Sequence, residues 1–233
     1  MTPSLSLVIP FYNEEECAKR AIRELVAAFD AAGVSEIEFL LVENGSTDNT
    51  SALLRDLAQV DRRLKIIATE KNVGYAGAVL TGLSRADGKW IGFTCGDGEI
   101  APEDVVAVFD IARQAGLDFC KAKRIGRQDG LWRKALSYGY HLLVSLLFSV
   151  HVTDINGYPV IMQRQVFARM RIPVTNWVFN VEILLEVRRL GLRMVEVDVK
   201  HLKRLGGHSH VSPFTPLIFL WQLVSLRLKQ KQK

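Results

Sequence analysis

Two carboxylates one residue apart, Asp97 and Glu99, close an apolar run in Phe93-Thr94-Cys95-Gly96-Asp97-Gly98-Glu99 and sit between glycines. Lys89-Trp90-Ile91-Gly92-Phe93-Thr94 reads as a buried strand, so both acids belong to the loop beyond its carboxyl end. In an open α/β sheet that end is where ligands bind. Crowded carboxylates repel one another, and a hard divalent cation that also grips phosphate oxygens relieves the repulsion. The competing reading is a helix cap, because Ala101-Pro102-Glu103-Asp104 has the proline and acids of a helix start.

Three further loops must share the edge with this pair. Repeated strand-helix units imply a mostly parallel sheet covered by helices on both faces, a Rossmann-like α/β fold. The predicted strands are Leu5 to Ile9, Ile37 to Val42, Leu64 to Ala68 and Trp90 to Thr94. The helices between and after them start at Asn13, with that residue as N-cap, and cover Thr50 to Val60, Tyr75 to Arg85 and Val105 to Gln114. The strands run into Pro10-Phe11-Tyr12-Asn13-Glu14, Glu43-Asn44-Gly45-Ser46-Thr47-Asp48 and Glu70-Lys71-Asn72-Val73-Gly74-Tyr75-Ala76-Gly77. Each loop alone is a good turn or cap. Together they place an aromatic, several carboxylates, a lysine and glycine-rich backbone where a nucleotide would bind.

The chain has 233 residues, enough for one sizeable domain with a short appendage. Cys17, Cys95 and Cys120 form no close pair, which favours a reducing compartment over disulfides or zinc. Met1-Thr2-Pro3-Ser4 lacks a basic flank and a cleavage pattern, so the expectation is a cytoplasmic protein without a signal peptide. The formal charge of +5 is concentrated in 121–134, with Lys121, Lys123, Arg124, Arg127, Arg133 and Lys134, and at the end, with Arg227, Lys229, Lys231 and Lys233. Such clusters suit anionic ligands or an anionic membrane surface. Nucleic acid is not expected, since neither zinc-finger spacing nor an RRM signature accompanies them.

After residue 121 a basic loop is predicted, then an uncharged segment from Ala135 to Thr153 that polar residues interrupt too often for a membrane span. A helix over Asn180 to Leu190, a strand over Arg193 to Val199 and an apolar segment from Phe214 to Leu228 follow. The last segment suits lying in a bilayer surface, packing on the core or meeting another copy.

The ordered loops carry a family resemblance. Leu7-Val8-Ile9-Pro10-Phe11-Tyr12-Asn13-Glu14-Glu15, Glu43-Asn44-Gly45-Ser46-Thr47-Asp48-Asn49-Thr50, Asn72-Val73-Gly74-Tyr75-Ala76-Gly77-Ala78 and Cys95-Gly96-Asp97-Gly98-Glu99 resemble family 2 glycosyltransferases of the GT-A fold. Asp154-Ile155-Asn156-Gly157-Tyr158 and Arg204-Leu205-Gly206-Gly207-His208-Ser209 are similar to motifs of the dolichyl-phosphate mannose synthase and polyprenyl-phosphate glycosyltransferase branch.

The resemblance, over about residues 4 to 210, implies a GT-A catalytic domain over 1–210 and inversion at the anomeric carbon, and the apolar and basic pattern of 211–233 adds a C-terminal amphipathic helix as a possible membrane-interface element. It implies a nucleotide-diphosphate sugar donor, a polyprenyl or dolichyl phosphate acceptor, a divalent cation (Mg2+ or Mn2+), and peripheral attachment to the cytoplasmic face of a membrane. Pro10, Tyr12, Glu14, Glu43, Asn72, Gly74 and Asp97 match donor-binding positions, and Asp97 and Glu99 match the metal ligands. Arg124, Arg133, Ser137, Arg204 and Ser209 fall near positions for acceptor or phosphate, and Asp97, Arg124, Arg133 and Asp154 form the catalytic set. The chain departs from the family pattern where Cys95 stands at the first acid of the metal motif and Asn44 at the second acid of the second loop. A phosphate acceptor is already largely a dianion at neutral pH and needs no strong base, whereas a hydroxyl acceptor would need one, with Asp154 the first candidate. A nucleotide-sugar-binding protein with degraded catalysis is the further alternative.

Overall fold

The computed structural model describes residues 2–126, 131–173, 177–204, 206 and 215–231, without the side chains of 131–135, 215–217 and 229–231. Its elements are β1 (Leu5–Phe11), α1 (Ala18–Ala31), β2 (Ile37–Glu43), α2 (Thr50–Val60), β3 (Leu64–Ala68), α3 (Gly74–Leu83), β4 (Trp90–Phe93) and α4 (Pro102–Gln114). The chain continues through β5 (Phe119–Ile125), α5 (Leu131–Phe148), β6 (Val160–Gln163), α6 (Arg164–Phe167), α7 (Phe179–Arg189), β7 (Met194–Lys200) and α8 (Thr215–Lys231).

Seven strands form one sheet in the order β3-β2-β1-β4-β6-β5-β7. All neighbouring pairs are parallel except those of β6, which runs antiparallel to both β4 and β5. The central strands are buried on both faces, as near-continuous apolar runs such as Leu5 to Phe11 require. One core layer packs α1, α2 and α4 on the sheet through Ile22, Phe29, Leu54 and Phe109. The opposite layer seats α3 and α7 through Val79, Leu83, Phe179 and Ile183. A third apolar cluster joins α5, α7 and α8 through Val144, Leu184 and Leu223, with the Tyr140 and Phe219 rings 5.2 Å apart.

The predicted α/β sheet is present, and two readings change. The basic stretch after residue 120 is not a loop: β5 extends to Ile125, pairing along its length with β7. It holds its charges by burying Lys121 and pairing Lys123 with Asp198 at 2.6 Å. Asn13 does not cap α1, which begins five residues later with Cys17 preceding it. Asn13 adopts φ 54°, a left-handed conformation that asparagine tolerates, and its side chain accepts a hydrogen bond from the Thr47 N–H at 2.8 Å. It joins the first loop to the second. The predicted boundary at 210/211 lies outside the described residues.

Candidate active site

The carboxyl ends of β1, β2, β3 and β4 bring the four predicted loops to one edge. Gly45 (φ 70°) lets the second loop meet the third: a Cβ there would lie 2.6 Å from the Lys71 carbonyl carbon. Asn44 fills the same junction, its amide donating to Asn72 Oδ1 at 3.1 Å and its oxygen accepting the Val73 N–H at 3.0 Å. Asn72 Oδ1 also accepts the Gly74 N–H at 2.8 Å, closing the turn into α3. Asn44 and Asn72 thus build the loop pair, and an acid at position 44 would supply no amide donor for the Asn72 oxygen.

Glu43 and Glu14 occupy neighbouring positions at the ends of β2 and β1. A Glu43 carboxylate oxygen accepts the Ser46 N–H at 2.6 Å. The Glu14 carboxylate accepts from Cys17 Sγ at 3.0 Å and pairs with the Arg204 guanidinium, which also donates to the Gly206 carbonyl at 2.8 Å. Burial, with the Glu14 hydrogen bond next, pushes the Cys17 thiol up to about 12, so it acts as a neutral donor. Arg204, expected near the acceptor or a phosphate, lies against the first strand-end loop through Glu14. Pro10 lies within β1, paired with Val42, and Tyr12 is half-buried in the loop that follows.

In the fourth loop, the Glu99 N–H donates to Asp97 Oδ1 at 3.1 Å. Burial first, and the Asp97 charge second, raise the Glu99 carboxyl above its ordinary range. A cation beside the two acids would offset both the burial and the Asp97 charge. His201 Nε2 approaches Glu99 Oε2 at 3.4 Å from beyond β7, and an isolated bridge between Ile100 and His201 holds it there. Burial and the Asp97 charge also push the Cys95 thiol well above its usual value, which keeps it protonated and a poor partner for a hard ion. Asp97 and Glu99 are thus the residues that could hold a divalent cation. Among the described residues no cluster of three metal-ligating side chains is present, so oxygens of a bound ligand would have to complete the shell.

On the far side of this loop, Arg124 Nε and Nη2 grip the two Asp154 oxygens at 2.7 and 3.0 Å. Burial would raise the Asp154 carboxyl, but the hydrogen bonds and charge of Arg124, with Lys121 behind it, hold it down to about 2. Glu196 accepts the Thr153 and Asp154 N–H groups at 2.7 and 3.1 Å, and buried Lys121 donates to the Asp154 carbonyl. Gly157 lets this turn lie against β5, since a Cβ there would collide with the Ala122 carbonyl oxygen. A cavity of about 630 Å³ opens beside the pair, lined by Lys123, Arg124, Ser137, His141 and Asp154 among others.

The glycosyl transferase family 2 profile matches residues 6–184, which contain the four loops, the carboxylate pair and Asp154. The chain belongs to glycosyl transferase family 2. Within this family it is 27% identical over 222 residues to an undecaprenyl-phosphate 4-deoxy-4-formamido-L-arabinose transferase of Aeromonas hydrophila, covering 95% of this chain and 67% of the relative. The transferase of the same name from Proteus mirabilis is 27% identical, with coverage of 93% and 65%. The chain thus spans about two thirds of the length of these relatives. Solved GT-A structures share the fold. Mannosyl-3-phosphoglycerate synthase from Rubrobacter xylanophilus superposes with a TM-score of 0.77 at 18% identity, covering 99% of this chain and 75% of that one. Glucosyl-3-phosphoglycerate synthase from Mycobacterium tuberculosis, solved with Mn2+, uridine diphosphate and glucosyl-3-phosphoglycerate, superposes with a TM-score of 0.73 at 16% identity, covering 97% and 79%.

Of the residues singled out in this family 2 chain, Glu14, Glu43, Asn72, Gly74, Asp97 and Glu99 come together at one edge, and Arg124, Asp154 and Ser137 meet around the adjoining cavity. The Arg133 side chain and Ser209 lie outside the described residues. Sequence reasoning missed Lys121, Glu196, His141 and His201. The placement of His201 was readable only in that the strand from Arg193 to Val199 ends just before it.

Proposed function

We propose that this chain is an inverting transferase that moves a hexose from a nucleotide-diphosphate sugar to a polyprenyl phosphate of the dolichyl type, at the cytoplasmic face of a membrane. The observation that carries the reading is the continuity of two cavities. The first is walled by the cations Lys123 and Arg124 with the anion Asp154; the second, of about 440 Å³, shares Tyr138, His141, Val152 and Thr153 with it and adds Leu142, Val150 and Ile155 beside Ser145 and His151. The cations suit an anionic head, and Leu142, Val150 and Ile155 offer an apolar side to the start of a lipid chain. The names of the relatives agree with such an acceptor.

The donor diphosphate belongs beside Asp97 and Glu99, with a divalent cation supplying charge stabilisation to the departing nucleoside diphosphate when bound. The acceptor phosphate oxygen attacks the anomeric carbon from the opposite face. The carbon–oxygen bond to the donor phosphate breaks, and its electron pair leaves with the nucleoside diphosphate. No proton need be removed, which agrees with Asp154 serving as an anchor for Arg124. A carboxyl held near pH 2 is a weak base, so the geometry disfavours a hydroxyl acceptor activated by Asp154. Alignment and charge stabilisation supply the rate.

Tyr138 (72%), which lines the second cavity, and Leu146 (74%) are exposed on α5, and Trp221 (68%) and Leu228 (58%) are exposed on α8. Among the described residues no helix is long and apolar enough to cross a membrane. Exposed tyrosine, tryptophan and leucine side chains on two packed helices fit elements that lie in the headgroup layer. Labelled nucleotide sugars offered with polyprenyl phosphate or with the matching polyprenol test the function. Label should enter the organic phase only with the phosphate; transfer to the alcohol alone overturns the reading.

A further inference from the structure

His141 stands at the joint of the two cavities and contributes to the wall of both. Its position on α5 places Nδ1 2.7 Å from the Ser137 carbonyl oxygen, one turn back, and Nε2 3.1 Å from the Ile155 amide nitrogen. The two partners decide the proton. A carbonyl only accepts and an amide N–H only donates, so Nδ1 carries the hydrogen and Nε2 offers its lone pair. The ring is neutral, as the tautomer with Nδ1–H.

This bond has a specific mechanical place. Residues 153–155 are tied to β7 through Glu196, and to β5 through Lys121 and Arg124. In the same turn Asn156 Oδ1 accepts from Asn180 Nδ2 on α7 at 2.9 Å, and the His141 bond joins residues 153–155 to α5. Arg124 is fixed by the turn, and Ser137 is carried by the helix. α5 packs through apolar contacts and is held at its far end by Ser145 against His151 and by Arg188 on the Phe148 carbonyl, so at the cavity joint the separation between these two walls depends on the His141 bond. We propose that His141 is a positioning residue for the acceptor, which as the neutral Nδ1–H tautomer clamps α5 to the Asp154 turn and sets the width of the phosphate end of the groove. The inference rests on the polyprenyl-phosphate reading, whose own test is transfer by the unaltered protein.

The test compares His141→Ala and His141→Gln in steady-state transfer to a short-chain polyprenyl phosphate, beside calorimetry with a nucleoside diphosphate. Loss of one buried hydrogen bond that acts through geometry should raise the acceptor KM on the order of tenfold in H141A. The donor KM and nucleotide binding should stay within about twofold of the unaltered protein, because Glu43 and Asn72 bond within the strand-end loops, to Ser46, Asn44 and Gly74. A glutamine oxygen reaches the Nε2 position and accepts the Ile155 N–H, so H141Q should bring the acceptor KM back to within about threefold. An unchanged acceptor KM in H141A, equal rises in both KM values, or failure of glutamine to rescue overturns the proposal. Imidazole nitrogen NMR of the unaltered protein tests it independently of folding in the variants: a protonated Nδ1 with a bare Nε2 is expected, and an Nε2–H tautomer overturns it. Absence of transfer by the unaltered protein would instead defeat the acceptor reading and leave the NMR result to stand alone.

Discussion

Asp154→Asn removes the partner of Arg124 and part of the counter-charge of Lys121 while keeping the shape of the side chain. The carboxyl is 7% exposed and held at about 2 against an ordinary 3.8, so little solvent screening applies. A depression of that size corresponds to about 2.5 kcal/mol of folding stability at neutral pH. The sign follows from the depressed value: the contribution is complete above pH about 5, falls by close to half near pH 3, and is lost below about 2. Substitution should cost more than this, about 3 to 5 kcal/mol at pH 7, because Arg124 loses its anion in a buried site and Lys121 is left with Glu196 at 3.7 Å. Urea unfolding of the single variants and of Arg124→Gln/Asp154→Asn separates pair from site. The double variant should be less unstable than the sum of the singles by about 2 kcal/mol or more. A loss below about 0.5 kcal/mol in D154N, or additive singles, would refute the claim that the pair is a buried anchor.

Asp97→Ala and Glu99→Ala should each lower transfer at least roughly 100-fold with saturating Mn2+, and undiminished transfer in both would remove the metal assignment. Cys95→Asp replaces a protonated thiol by a hard ligand, so calorimetry should show tighter Mn2+ binding in the presence of a nucleoside diphosphate; equal or weaker binding contradicts the reading of Cys95. Gly157→Ala should destabilise by about 2 kcal/mol or more through collision with the Ala122 carbonyl, whereas Gly33→Ala, with φ 69° but open space, should cost about 1 kcal/mol. The reverse order in urea midpoints would show that the turn yields. Leu146→Glu and Trp221→Glu should weaken binding to anionic liposomes without lowering the unfolding temperature, since both side chains face solvent; unchanged binding would defeat membrane docking.

The four strand-end loops were legible because each parallel strand delivers its loop to the same edge, so motif order alone placed Glu14, Glu43, Asn72 and Asp97 together. β5 was not legible. Lys121, Lys123 and Arg124 break its apolar pattern, and only their partners Glu196, Asp198 and Asp154, more than twenty residues away, make a charged strand tolerable. β6 was hidden by its length of four residues and by running against its neighbours. The function of Asn13 depends on Thr47, and that of His141 on Ile155, pairings that no local propensity announces. The same distance effect concealed the ion pair of Asp154 with Arg124, residues 30 apart in sequence.

The central claim is that the sugar is joined to a phosphate oxygen. Phosphorus NMR of the reaction between the donor and a polyprenyl phosphate reads that bond directly. The account predicts that the phosphomonoester resonance of the acceptor converts to a phosphodiester in step with release of the nucleoside diphosphate, and that the conversion falls in variants of Arg124. A monoester signal that persists while the nucleoside diphosphate accumulates would contradict it.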